Sequence, residues 1–470
     1  MPEGLVVRLG HFATALRDAG VTDSVAANVH DRILDVLGVG LAARGEDAGK
    51  ATLGLVRNQG GIAESTVWGE QDRLPAAAAA LVNGTHCHAL DFDDTHLPSV
   101  LHPSASVVPA AIATAEAADA SGADLMAAVA AGTEICIRLG MASYDPEIRN
   151  SIFFENGLHA TSICGALASA AAAALLLGLD GDGVAHAMGI AASMGAGIIE
   201  ANRTGGSVKR IHCGWAAHAG VSAGQLAYHG LTGPPTVLEG RFGFYRAYSE
   251  GRFDAEAVVG ELGQRWDLLR VWYKPYPTNH FTHAGIDAAL AILARGVDPA
   301  EVEAMELGVP QPVLRTIAQP PDLKARPTSP YTSRFSGPFC VAAALVGGGG
   351  LGVYLEDFTR DTIQDPERLR LAGVVTCIAD EEATEIFPHQ FPGVLRARLG
   401  DGSTVEHRVR HNRGGPENPL SAEELALKFR LNANLSMPSS SVTAIQEAVG
   451  SLEDITARDL AETLASPVRG

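Results

Sequence analysis

Apolar residues recur every three to four positions through most of the first 266 residues. Between 23 and 43, Val25, Val29, Ile33, Leu34, Leu37 and Leu41 form one stripe, the spacing of an amphipathic helix with one face on a core. The same period predicts helices over 75–90, 105–120, 122–140, 159–178, 181–197 and 214–230, each bounded by Gly, Pro, Asp or Ser. The longest apolar stretch, Ile163 to Leu179, is mostly Ala and is broken by Gly165, Ser169 and Gly178. A membrane span needs about 20 strongly apolar residues, so this stretch reads as a buried helix and no membrane partner is expected.

The pattern changes after Trp266. Residues 268–273 (LLRVWY) and 302–309 (VEAMELGV) read as short strands, and Val394 to Val409 as a hairpin. In the hairpin Arg396 and Arg398 alternate with Leu395, Ala397 and Leu399, and Gly400-Asp401-Gly402 supplies the turn. Helices are expected at 281–295 and 335–346, and again in the tail from Ser421 to Gly450. The expected fold is mainly α, a large all-helical domain (1–266 and 413–470) with a smaller α+β lid domain (267–412). A cleft between two such domains is the default place for a ligand.

Composition narrows the class. With 54 acidic against 35 basic residues the formal charge is −19, and no Lys/Arg block offsets it, which argues against a nucleic-acid partner. Hydrophobic residues make up 46% and charged residues 19%, as in an ordered globular protein. The first residues, MPEGLVVRLG, lack the apolar core of a secretory signal. Six scattered cysteines with no CxxC pair suggest reduced thiols in a cytoplasmic protein.

Four segments carry candidate chemistry. Asn83 to Pro103 packs His86, His88, His96 and His102 with Asp91, Asp93 and Asp94. Such a cluster suits a metal site, or metal-free acid/base work in which a carboxylate orients a histidine; a capped helix end with solvated histidines is the plainer reading. Asn156 to Ser162 places His159 at the mouth of the Ala-rich helix, where the positive end of the dipole favours neutral imidazole. Gly205 to Gly214 joins two glycines to Lys209 and Arg210 but lacks P-loop spacing, so a nucleotide site is unsupported. Lys274 to His283 holds Lys274, His280 and His283 in a loop stiffened by Pro275 and Pro277. Together these segments suggest a local anion site inside an acidic protein.

These motifs resemble the MmgE/PrpD family, which includes 2-methylcitrate dehydratase, cis-aconitate decarboxylase and iminodisuccinate epimerase. The resemblance runs through LVNGTHCHALDFDDTH, LHPSASVVPA, NGLHATSICGALASAAAAA, VKRIHCGWAAHAG, KPYPTNHFTHAGIDAAL and SRFSGPFCVAAAL in that order. It implies a helical body with an α+β lid, a homodimer, and chemistry needing neither metal nor cofactor. It also implies Asp91, Thr95, His102, His159, Lys209 and His280 as catalytic candidates, with Lys274 and Tyr331 binding substrate; His283, from the same proline-stiffened loop, is counted with the substrate-binding residues. The expected activity is that of a lyase that dehydrates or decarboxylates a small di- or tricarboxylate, with an epimerase or isomerase of a substituted dicarboxylate as alternative and a metal-dependent hydrolase as the remote one.

Overall fold

The structure, a computed structural model, describes residues 3–465. It divides into two compact units, Met1–Val271 with Phe429–Gly470, and Trp272–Lys428.

The first unit is built on nine principal helices before the crossover: α1 Leu5–Ala19, α2 Asp23–Ala42, α3 Asp47–Gln59, α4 Ala76–Ala89, α5 Ser104–Ala118, α6 Gly122–Met141, α7 Ala160–Leu176, α8 Gly181–Ala191 and α9 His212–Tyr228. Every residue of α7 is buried, because its sequence is apolar or small all round and it has no polar face to present to water. It is packed by α5, α6, α8 and α9. Alanine at most contact positions lets these backbones approach closely. The closest approach relevant here joins α4 to α9, where a Cβ on Gly84 would lie 2.8 Å from the Cα of Gly214 and one on Gly214 would collide with the carbonyl oxygen of Leu81. Among the described residues no helix is long and apolar enough to cross a membrane.

Two expected elements end differently, and in each case side chains claim the backbone. The helix expected over 181–197 stops at Ala191. Beyond it the carbonyl of Gly195 accepts from the Tyr248 hydroxyl at 2.9 Å, that of Ala196 from the Ser162 hydroxyl, and that of Gly197 from the His159 amide at 2.9 Å. A helix there would take those carbonyls away. Segment 268–273 is likewise not a strand, since a 3-10 turn occupies Asp267–Arg270. The carboxylate of Glu134 accepts from the amides of Asp267 and Leu268 at 3.2 and 2.8 Å, and the Leu268 carbonyl accepts from Arg32 at 3.0 Å.

In the second unit four strands, β1 Val302–Val309, β2 Val375–Ala379, β3 Gly393–Leu399 and β4 Thr404–Val409, form a sheet of order β2-β1-β3-β4. The first pair is parallel and the others antiparallel. Leu395, Ala397 and Leu399 enter the core, while Arg396 reaches Glu306 and Glu406 and Arg398 reaches Glu303 on the neighbouring strands. Helices α10 His283–Ala294, α11 Gly337–Val346 and α12 Pro366–Gly373 complete this core. Segment 413–428, placed with the helical body by sequence, belongs to this unit: the Arg413 amide donates to Asp287 at 3.0 Å and the Tyr273 amide to Gly414 at 2.9 Å. The tail, α13 Ala422–Ala433, α14 Ser439–Gly450 and α15 Ala457–Leu464, then supplies Ile445, Val449, Leu460 and Leu464 to the first core.

Candidate active site

Four histidine rings from three segments of the first unit stand side by side. His88 lies at the end of α4, His102 in the loop before α5, His159 at the N-cap of α7, and His212 opens α9. Ring centroids are 5.2 Å apart for His102 and His88, 5.5 Å for His88 and His159, and 5.1 Å for His159 and His212. The Gly84–Gly214 contact brings α4 and α9 near enough to close this row.

Asp93 anchors one side. Its Oδ2 accepts from His88 Nδ1 at 2.7 Å and lies 3.7 Å from His102 Nδ1, while Nε2 of His88 is buried and has no partner. His102 is oriented by the backbone: its Nδ1 donates to the Asp94 carbonyl at 2.7 Å and also meets the Thr95 hydroxyl at 3.3 Å. A carbonyl oxygen can only accept, so the proton of neutral His102 sits on Nδ1 and Nε2 keeps a lone pair. The amide of His102 donates to Thr161 in the first turn of α7 at 3.0 Å, which ties this loop to the helix that carries His159.

At the other end of the row His159 and His212 share a hydrogen bond between their Nδ1 atoms at 3.0 Å. Burial pushes the pKa of His159 well below the usual imidazole range, with Lys209 adding to it, and that of His212 is pushed down to about 4, again chiefly by burial. The shift is in the direction expected for His159 from the helix end, with loss of solvent as its main cause. Lys209 sits half-buried on the 3-10 turn Val208–Ile211 that runs into α9. His88, Asp93 and Cys213 each place one potential ligand atom within 4.8 Å of the others, and burial pushes the Cys213 thiol up.

Of the residues expected from sequence, Thr95, His102, His159 and Lys209 belong to this group. Asp91 is half-buried at the turn after α4 with a φ of 55°, two residues before Asp93, whose carboxylate meets His88 and His102. His86 faces α3 at Gly49, with both ring nitrogens buried and unpartnered, and His96 is bonded to Ser99 at 2.7 Å. The remaining four lie in the second unit. Lys274 is buried there; His280 accepts from the Asn412 side chain at 2.8 Å; His283 donates to the Thr278 carbonyl at 3.3 Å; the exposed Tyr331 packs on Phe335.

His88, Asp93 and His212 were visible as residue types but had no assigned role. The five-residue step from His88 to Asp93 across a helix end is a local signal for their pairing. His159 and His212 are 53 residues apart, and nothing local to either announces the contact.

The chain matches the model of the MmgE/PrpD N-terminal domain over residues 7–256 and that of the C-terminal domain over 276–454. It is 32% identical to cis-aconitate decarboxylase of Homo sapiens over 466 residues, covering 94% of this chain and 91% of the relative. It is 30% identical to that of Aspergillus terreus (strain NIH 2624 / FGSC A1156), covering 86% of this chain and 84% of the relative. The histidine row is thus set in a chain that belongs, through both of its domains, to the MmgE/PrpD family and is an enzyme of the lyase type.

Proposed function

We propose that the protein is a metal-free lyase acting on a small tricarboxylate of the cis-aconitate kind, and that its reaction is decarboxylation. The observation that carries this reading is the row of four histidines between Asp93 and Lys209. When the bond to a carboxylate breaks, its electron pair stays on the carbon skeleton, carbon dioxide leaves and one proton must be delivered to carbon. Lys209 would hold a carboxylate and offset the charge that develops, a kind of stabilisation that often contributes most to catalysis. His159, uncharged because it is buried, can give the proton on Nε2 if its Nδ1 gains one in the same step, so that the ring is not left as an anion. His102, whose Nδ1–H is committed to a carbonyl, presents a lone pair that can accept a hydrogen bond from the substrate or its water and takes no proton in the step. The relatives named above, both called decarboxylases, support the choice of reaction. A homodimer belongs to the same reading and is checked by sedimentation.

The test is incubation with cis-aconitate, citrate, methylcitrate and substituted succinates in heavy water, followed by proton NMR. Decarboxylation of cis-aconitate with one deuterium on the product is expected. Water loss from methylcitrate would move the protein to the dehydratases, and label exchange into a succinate without net change would make it an epimerase.

A further inference from the structure

His212 has been given no role in the chemistry just described, yet its ring is hydrogen-bonded to that of His159. A hydrogen bond between two ring nitrogens needs a proton on one and a lone pair on the other. Both rings resist a positive charge, because burial, Lys209 and His88 act on each of them, and His102 acts on His159 as well. Two neutral rings joined through Nδ1 must then be opposite tautomers. If His159 donates at Nδ1, its Nε2 is a base; if it accepts, its Nε2 carries the hydrogen and is an acid.

We infer that His212 is the positioning residue of this site: through the Nδ1–Nδ1 bond it dictates which nitrogen of His159 carries the proton, and so whether His159 acts as acid or base. The backbone is arranged to keep that bond. His159 caps α7, and the Ser162 hydroxyl in the first turn of α7 donates to the main-chain carbonyl of His212 at 3.1 Å. The same hydroxyl hydrogen is shared with the carbonyl of Ala196, and Gly197, whose Cβ would lie 2.8 Å from that of Ser162, brings the segment after α8 against His159. Two residues beyond His212, Gly214 meets α4. Neither ring is therefore free to turn away from the other. For the decarboxylation proposed above, on which this direction rests, His212 donates from Nδ1 and His159 accepts; as the Nε2 proton of His159 goes to carbon, the Nδ1 proton of His212 passes to His159 and water returns one to His212, so neither ring is left as an anion.

Ring-15N-labelled histidine and long-range proton–nitrogen spectra at pH 7 test this without any substrate, with signals assigned by His159→Gln and His212→Asn. Opposite tautomers are expected for the two rings, and His212→Phe should change the tautomer of His159. Identical tautomers in the native protein, or a His159 signal untouched by His212→Phe, would overturn the inference. In kinetics, His212→Phe should lower kcat about 100-fold, the scale of a lost proton-transfer group, with KM nearly unchanged. His212→Asn, which returns an amide to the place of Nδ1, should recover most of the rate, whereas His212→Gln, whose amide reaches the place of Nε2, should not. Equal rates for the Asn and Gln variants would count against it, and that comparison stands even if the Phe variant does not fold. A protein that turned over none of the acids would refute the decarboxylase reading while the nitrogen spectra still decided this one.

Discussion

Arg32 and Asp94 form an ion pair at 2.6 Å in which both side chains are cut off from solvent. Arg32 also donates to Ser104, Asn28 and the Leu268 carbonyl, and Asp94 accepts from the hydroxyl and amide of Ser104. Burial pushes the Asp94 carboxyl up and Arg32 opposes it. Taking two charges out of water makes such a pair weak evidence of net stability, but removing one partner strands the other. Here the pair also sets where the Asp94 carbonyl points, and that carbonyl holds His102. Arg32→Met should cost about 3–5 kcal/mol in chemical denaturation and should release His102 from its fixed tautomer. A loss below about 1 kcal/mol, the scale of an exposed pair, would show that the pair does not organise the loop.

Removing groups in the row should separate rate from folding. His159→Gln and Lys209→Ala are each expected to lower turnover by at least about 100-fold, while the melting temperature moves by only a few degrees. Asp93→Asn, which keeps the shape but removes the charge facing His88, should also reduce kcat. Native rates in the first two variants would mean that the site lies elsewhere.

Acid should destabilise the fold through its buried histidines. His86 is pushed down to about 4 and His96 to about 3, both chiefly by burial, from an ordinary value of 6.5. Below pH 6.5 the unfolded chain takes up protons that the folded chain refuses, so stability falls until the folded groups titrate near 4 and 3. Each contributes a slope of up to about 1.4 kcal/mol per pH unit in that window. Asp94, Glu116, Glu134 and Asp287, pushed up by burial, act in the opposite sense, so the clean measurement is a difference. His86→Gln should lose one histidine's share of the slope between pH 6.5 and 4.5 in calorimetry. Parallel curves for variant and parent would contradict a neutral buried His86.

Chelation addresses the trio His88, Asp93 and Cys213. Dialysis against a strong chelator is expected to leave turnover unchanged, and native mass spectrometry to give the mass of the bare chain. Activity that disappears and returns with zinc would assign the trio to a metal and end the metal-free mechanism.

Much of the fold could be read directly from the sequence because helix period and core position coincide. The strand Val302–Val309 was legible from its run of branched and apolar residues, and the hairpin at 393–409 from alternation that matches the pleat. What could not be read locally was whatever distant side chains decide. Glu134 and Arg32 hold 267–268 away from a sheet, and the partners of Gly195–Gly197 are supplied by His159, Ser162 and Tyr248. The site divides in the same way. His102, His159 and Lys209 stood out in compact motifs, but the pairing of His88 with Asp93 depends on how the chain turns at the end of α4, where Asp91 has a positive φ, and the His159–His212 bond depends on two helix ends meeting.

The contact of Gly84 with Gly214 bears on how this enzyme can change. The wall that carries His88 and His212 is pinned where backbone meets backbone, and the two glycines at that point offer no side chain that could be trimmed by degrees. Even alanine at Gly214 should spread α4 from α9 and open the row of rings. A descendant of this chain that takes up a different acid would have to reshape its loops, because the wall behind the histidines can only be inherited whole or lost.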